Sequence, residues 1–247
     1  MVGCEACADG IDAPFPFTMA FQPIVDLSSK TIFAFEALVR GPSGEGAASI
    51  LAQVNDKNRY SFDQSCRVKA IELAAALGLT STDAYLSINF LPGAVYEPKN
   101  CIRATLAAAT RTSFPTDRLI FEITEGEKVA DKAHLKNIIR EYRKQGFKTA
   151  IDDFGAGYAG LNLLSEFQPD IIKIDMELTR EIHKDPIRRS IVSAVVSVCK
   201  DLGLTVIAEG VETREEMDSL LAMTITHQQG YLFAKPGFEF LPAPTFP

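Results

Sequence analysis

The sequence predicts an α/β chain folded as one eight-stranded (β/α)8 barrel, and three observations predict it. Its 247 residues match the length that barrels of this class commonly use as a single domain. From Thr18 onward, short runs rich in β-branched and aromatic residues alternate with longer amphipathic stretches, the rhythm of parallel strands joined by helices. Six of the strand-like runs end on a polar residue, at the carboxyl end where such barrels assemble their sites.

The predicted strands are Met19 to Leu27, Ile32 to Val39, Ala84 to Phe90, Arg118 to Thr124, Lys148 to Asp152, Asp170 to Asp175, Thr205 to Ala208, and His227 to Ala234. Between them, Ser61 to Leu77 has helical apolar spacing with Ser61 as its cap, and Asp131 to Gln145 has the same spacing before a stopping Gly146. Asp185-Pro186 opens a further helix, with proline in its first turn, that runs on to Gly203. Its apolar breadth predicts burial on more than one side, by the barrel or by a partner subunit. Residues 1–17, with two prolines, predict a flexible leader, and Gly237 to Pro247, with three, a loose or surface-laid end. The barrel domain is then 18–247.

Composition bounds the function. Hydrophobic residues make up 47% and charged ones 23%, the balance of an ordinary globular protein. A formal net charge of -7 argues against polymeric nucleic acid or an anionic membrane as partner, because both demand a basic surface. No apolar run reaches the ~18 residues of a membrane span and no signal-peptide pattern opens the chain, which predicts a cytoplasmic protein. Cys4, Cys7, Cys66, Cys101 and Cys199 form an odd, irregular set, so no disulfide framework is expected. Cys4 and Cys7 make a CxxC, but with no second pair downstream they read as part of a tail.

Charge inside a buried strand is costly unless it is paired, metal-bound or at the open end. Here Phe33-Ala34-Phe35 leads to Glu36, Leu86-Ser87-Ile88 to Asn89, Leu119-Ile120-Phe121 to Glu122, and Thr149-Ala150-Ile151 to Asp152-Asp153; Ile171-Ile172 leads to Lys173 and Val206-Ile207-Ala208 to Glu209. Taken singly, Glu36 reads as a surface residue or salt-bridge partner, Asn89 as a loop-entry amide and Lys173 as a solvated or ion-paired lysine; six in register do not. Convergence of Glu36, Glu122, Asp152, Asp153 and Glu209 on one mouth demands cations to neutralise their repulsion. Oxygen-only ligands, with the Asn89 amide, suit Mg2+ or Mn2+, while His134, His183 and His227 are too scattered for a histidine site. Adjacent Asp152 and Asp153 suit a pair of ions about 3.5–4 Å apart. Phe154-Gly155-Ala156-Gly157-Tyr158 reads either as a simple turn or as a loop that closes over substrate. On the residues alone, a barrel enzyme using Lys173 as base or Schiff-base former on a carbonyl substrate stays open as an alternative.

These motifs resemble the EAL family of cyclic di-GMP phosphodiesterases, from about Phe21 to Pro236. The resemblance rests on Phe21-Gln22-Pro23-Ile24-Val25, Glu36-Ala37-Leu38-Val39-Arg40, Ser87-Ile88-Asn89, Phe121-Glu122-Ile123-Thr124-Glu125, Asp152-Asp153-Phe154-Gly155, Lys173-Ile174-Asp175, Ala208-Glu209-Gly210-Val211-Glu212 and Gln229-Gly230-Tyr231-Leu232. It implies a TIM-type barrel whose first strand runs antiparallel to the rest, and a homodimer formed through helices near the glycine loop. It implies hydrolysis of cyclic di-GMP to linear pGpG, with Glu36, Asn89, Glu122 and Asp152 on one metal ion and Asp152, Asp153 and Glu209 on a second. Lys173, Glu209 and Glu36 would be catalytic, Lys173 orienting and activating the attacking water. Arg40 would pair with phosphate, Gln22 would contact a guanine or its ribose, Glu212 and Gln229 would shape the second-metal and water environment, and Glu125 would anchor the glycine loop. The family's loop commonly carries hydroxyls where this chain has Ala156, Ala159 and Gly160, and frequently an acidic residue at Thr226. The expected function is thus a metal-dependent phosphodiesterase, the alternative a receptor that binds cyclic di-GMP without cutting it.

Overall fold

A computed structural model describes residues 13–124, 132–157 and 160–247 of the chain. The elements run β1 (Thr18–Asp26), β2 (Thr31–Arg40), α1 (Ala47–Leu51), α2 (Arg59–Ala76), β3 (Tyr85–Asn89), α3 (Pro98–Cys101), α4 (Arg103–Thr112), β4 (Leu119–Thr124) and α5 (Lys132–Lys144). They continue with β5 (Lys148–Phe154), α6 (Gly160–Glu166), β6 (Ile171–Ile174), α7 (Met176–Thr179), α8 (Pro186–Asp201), β7 (Thr205–Ala208), α9 (Arg214–Ala222), β8 (His227–Gln229) and β9 (Gly237–Phe238). Each strand from β2 to β8 pairs in parallel with the next, and β8 closes onto β1. The expected eight-stranded barrel is present.

β1 is antiparallel to both of its neighbours, β2 and β8. The cause is local: only Leu27 to Lys30 separate β1 from β2, far too few residues for the crossover that parallel strands require. The Asp26 carboxylate tightens this turn by accepting from Ser28 N at 2.9 Å and from the Ser28 and Ser29 hydroxyls at 2.7 Å each.

Strand alternation explains how the barrel carries its polar groups. Ile24, Ala34, Ile120, Ala150, Ile171 and Ile207 form one small apolar cluster inside the barrel. Residues two positions along a strand share its face. The same inward face therefore presents Gln22, Glu36, Glu122, Asp152, Lys173 and Glu209 one layer higher, towards the mouth. The intervening residues, such as Phe35, Phe121, Ile151 and Ile172, join the larger core under the helices.

Element boundaries differ from expectation where a distant contact decides them. α2 begins at Arg59, and Ser61 is inside its first turn, donating to Asn58 O at 3.0 Å, so Ser61 is not the cap. β8 stops at Gln229, not Ala234. A Cβ on Gly230 would lie 1.9 Å from Val211 O, so the chain presses flat against the neighbouring loop and turns, Phe233 N donating to Gly230 O at 3.1 Å. α8 is capped as expected, Asp185 accepting from Ile187 N and Arg188 N ahead of Pro186. Within the chain it buries one side only, through Val192, Val195 and Cys199, while Ile187, Ile191, Val198 and Leu202 are exposed. Burial on more than one side is therefore not supplied by the barrel.

The carboxyl end lies on the surface and is tied down. β9 pairs with β1 at Ala20 and Phe21, Glu239 N donates to Met19 O, and Thr245 N donates to Phe233 O at 2.9 Å. Phe15 and Phe17 pack on Phe62 with ring centroids 5.4 Å apart in each case, while Cys4 and Cys7 lie outside the described residues. Cys66, Cys101 and Cys199 are free and buried. Among the described residues, no helix is long and apolar enough to cross a membrane.

Candidate metal centre

The polar layer converges on one ammonium. Lys173 Nζ, on β6 and fully buried, lies 3.4 Å from Glu36 Oε2, 3.0 Å from Glu122 Oε2, 2.9 Å from Asp152 Oδ1 and 2.8 Å from Glu209 Oε1. Four carboxylates from β2, β4, β5 and the end of β7 thus share a single cation. Glu36 is held from two sides, by Asn89 Nδ2 on Oε1 at 3.1 Å and by Gln229 Nε2 on Oε2 at 2.8 Å. The buried Ser87 hydroxyl donates to Glu122 Oε1. Asp153, the residue after Asp152, takes a positive φ of 54°, a left-handed backbone that aspartate tolerates better than most residues. That twist lets two adjacent strand residues serve one mouth, Asp152 joining the Lys173 group and Asp153 lining the chamber beside Glu209.

The charge is unbalanced. Burial pushes the Glu122 carboxyl up to about 8, with Lys173 opposing and Glu36 and Asp152 adding to the rise. Burial, then the Asp152 and Asp175 carboxylates, pushes Asp153 up to about 6. Glu209 is held well above the carboxylate range by burial and by Asp152. For Lys173 burial acts downward, but Asp152, Glu122, Glu209 and Glu36 outweigh it and hold the ammonium well above its ordinary value. Lysine alone does not neutralise this group, which keeps protons that a cation would displace.

The donor set fits hard divalent cations. One oxygen each from Glu36, Glu122 and Asp152 lie within 4.8 Å of one another, and so do one each from Asp152, Asp153 and Glu209. The spacing is that of oxygens gathered about one ion, and Asp152 belongs to both groups. Gln229, which lines the neighbouring chamber, has its buried Oε1 without a hydrogen-bond partner among the described residues, an acceptor left available at the site. Because uptake of a cation must expel protons, affinity is expected to rise by ~10-fold or more between about pH 6 and pH 8 as Asp153 and then Glu122 ionise. Proton release per ion should shrink over the same interval. Calorimetry in two buffers of different ionisation enthalpy reads both, and an affinity flat across that range would contradict the assignment.

Two chambers flank the carboxylates and share Glu36. One, about 440 Å3, is lined by Gln22, Asp153, Met176, Glu209, Glu212 and Tyr231 among others. The second, about 350 Å3, is mostly apolar, between β2, β3 and α2, with Leu38, Leu51, Phe62 and Phe90 in its wall and Asn89 and Asp152 at its edge. Gln22 reaches the first chamber with its amide held by Ala234 O at 3.1 Å.

Not every expected residue comes in. Arg40 lines neither chamber and donates to its own neighbour Val39 O at 2.7 Å. Glu212 borders the polar chamber but is held in a two-point pair with Arg180, at 2.8 and 2.6 Å. Glu125, Tyr158 and Ala159 lie outside the described residues. Ala156 is exposed, its N donating to Asp153 O, and Gly155 has a φ of 104°. Thr226 precedes β8, its carbonyl accepting from Leu27 N beside the β1–β2 turn, at the opposite end of the barrel from the carboxylates. The sequence assigns no role to Ser87, Met176, Tyr231 or Glu216. Ser87 was findable, being two residues before Asn89 on the same inward face.

Comparison with known proteins agrees with this geometry. The family model described as EAL domain matches residues 15–236. A standalone versatile EAL protein from Vibrio cholerae O395, solved in a c-di-GMP bound form, is 54% identical with a TM-score of 0.91, covering 95% of this chain and 98% of that one. The blue light- and temperature-regulated antirepressor BluF of Escherichia coli (strain K12) is 36% identical over 228 residues, 92% of this chain and 56% of its own length. The probable cyclic di-GMP phosphodiesterase PdeG of the same organism is 39% identical over 225 residues, 87% of this chain and 44% of its own. The chain thus spans about half the length of these curated relatives. With the family model matched over residues 15–236 and the barrel with its reversed first strand present, the chain belongs to the EAL domain family.

Proposed function

We propose that this chain is a divalent-metal-dependent phosphodiesterase that hydrolyses cyclic di-GMP to linear pGpG. The observation that carries the reading is the group of four carboxylates on one buried ammonium, set between two chambers. Glu36, Asn89, Glu122 and Asp152 would hold one Mg2+ or Mn2+, and Asp152, Asp153 and Glu209 a second. Bound there, the ions would supply an acidified water and neutralise charge building on the phosphate oxygens.

The chain's own groups have distinct tasks in this reading. Lys173, held charged by its neighbours, orients the attacking water as a hydrogen-bond donor. Glu209, whose Oε1 lies 2.8 Å from that ammonium, would receive the water's proton once bound cations have displaced its own. Glu36, fixed by Asn89 and Gln229, keeps the shared wall of the two chambers rigid. A cyclic dinucleotide has two halves about a central ring of phosphates, and two chambers meeting at the carboxylates accommodate one half each. Gln22, Gln229 and Glu212 border the half in the polar chamber. Arg40 takes a phosphate only by turning from Val39 O. A Schiff-base role for Lys173 is disfavoured, since an ammonium held by four carboxylates is a poor nucleophile.

The same reading includes a cytoplasmic homodimer. The exposed stripe Ile187, Ile191, Val198 and Leu202 on α8, with exposed Leu161 on α6, supplies an apolar face for a second copy. A second reading, a receptor that binds without cutting, is favoured by the hydroxyl-free Ala156 in the glycine loop and by the likeness to an antirepressor. Incubation of purified protein with cyclic di-GMP, with and without Mg2+ or Mn2+, separates the two by chromatography. Metal-dependent pGpG is expected, while binding without product would establish the receptor and neither binding nor product would defeat both.

A further inference from the structure

Glu209 differs from the other carboxylates of the site. Glu36, Glu122 and Asp152 sit within strands, whereas Glu209 follows the last residue of β7 and stands on a loop. Its place is therefore set by whatever fixes the 209–213 segment, and the segment's backbone partners can be followed almost completely. Glu209 N donates to Ile174 O at 3.1 Å, its carbonyl accepts from the Thr179 hydroxyl, and Val211 N donates to Gln229 O at 3.0 Å. Glu212 N and Thr213 N both donate to Glu216 Oε2, at 2.9 and 3.1 Å.

Glu216 does more than cap its helix. The reciprocal pair of Thr213 and Glu216 is a capping box at the start of α9, in which the Glu216 carboxylate accepts one N–H, that of Thr213. Glu216 also accepts from Glu212 N, and its other oxygen accepts from Glu181 N at 2.8 Å. Glu181 follows α7, whose Thr179 grips the Glu209 carbonyl, and Arg180 pairs with Glu212. One carboxylate, 1% exposed, thus joins two loops that meet at the second group of metal-binding oxygens. The loops are close enough that a Cβ on Gly210 would lie 2.4 Å from Met176 Cβ.

We infer that Glu216 is a positioning residue for the second cation subsite, fastening the 209–213 loop to the segment after α7 and so setting Glu209 against Asp152 and Asp153. The inference rests on the metal-dependent reading above. Its distinctive consequence is selectivity: loss of Glu216 should loosen the ion held by Asp152, Asp153 and Glu209 and spare the one held by strand residues.

Calorimetric titration of the whole metal-free protein with Mn2+ alone tests this without reference to turnover. Wild type is expected to take up two ions. Glu216→Ala should weaken the second by ~10-fold or more, the effect of losing a group that orients a ligand, with the first unchanged. Thr213→Ala, which removes the cap but leaves all three Glu216 acceptor contacts, should lower the melting temperature and keep both ions. If the alanine variant does not fold, Glu216→Gln, which keeps the side chain's size and one acceptor oxygen, is held to the same outcome. Equal weakening of both ions, no weakening, or the same loss in Thr213→Ala would overturn the inference and leave the metal reading standing. A wild-type chain that takes up no ion would overturn the metal reading itself, and the inference with it.

Discussion

Lys173→Ala is expected to lower cyclic di-GMP turnover by about 10^2 to 10^4-fold while the ligand and divalent ions still bind. Among the described residues the ammonium is the only charged partner that Glu36, Glu122, Asp152 and Glu209 share, so its loss has a second effect. Without metal, the variant leaves four buried carboxylates uncompensated, at a cost of about 3 kcal/mol or more, partly relieved as they take up protons. The metal-free variant should therefore melt below wild type by more at pH 8 than at pH 6. Added Mn2+ should recover most of the difference, because the ions replace the missing charge. Thermal melts with and without Mn2+, alongside calorimetric ligand binding, read both effects. Near-normal turnover, or loss of ligand binding by a folded variant, would contradict the assignment of Lys173 to the chemical step.

Asp152→Asn should have the larger effect on metal. Its oxygens belong to both groups of three, so a nearly isosteric change that removes one charge weakens both ions at once. Several kcal/mol of charge stabilisation depend on them, which places turnover ~10^3-fold or more below wild type. Asp153→Asn, by contrast, touches the second group only and should spare the first ion. Metal titration of the two variants side by side makes the comparison. An Asp152→Asn protein that keeps near-normal rates in low metal would contradict the shared-ligand role.

The barrel and its carboxylates were legible because both obey short-range rules. β7 runs Thr205–Ala208 as expected, and Glu36, Glu122, Asp152, Lys173 and Glu209 each stand two positions beyond an inward Ile or Ala. Even the reversed β1, expected only from the family resemblance, is forced by the four residues between β1 and β2. What escaped depends on contacts between segments remote in sequence. Leu232-Phe233-Ala234 reads as a continuation of the strand, yet Gly230 packs on Val211 and β8 ends at Gln229. The apolar breadth of α8 is visible in the sequence, but not that Val192, Val195 and Cys199 are buried while Ile187, Ile191, Val198 and Leu202 are left exposed. Arg40 stands beside Glu36 in the motif, but the strand turns its guanidinium towards Val39 O. Glu216 looks like an ordinary helix-start glutamate until the fold brings Glu181 N to it.

In the proposed reaction, water placed by Lys173 and the metal-binding carboxylates cuts a phosphodiester of cyclic di-GMP. The most direct test is to load metal-free protein with Mn2+ and incubate it with cyclic di-GMP in water enriched in oxygen-18. Mass spectrometry should then find linear pGpG with one heavy oxygen in its terminal phosphate, and none of this product before the metal is added. Cyclic di-GMP recovered intact from the metal-loaded protein, or pGpG without the heavy oxygen, would contradict it.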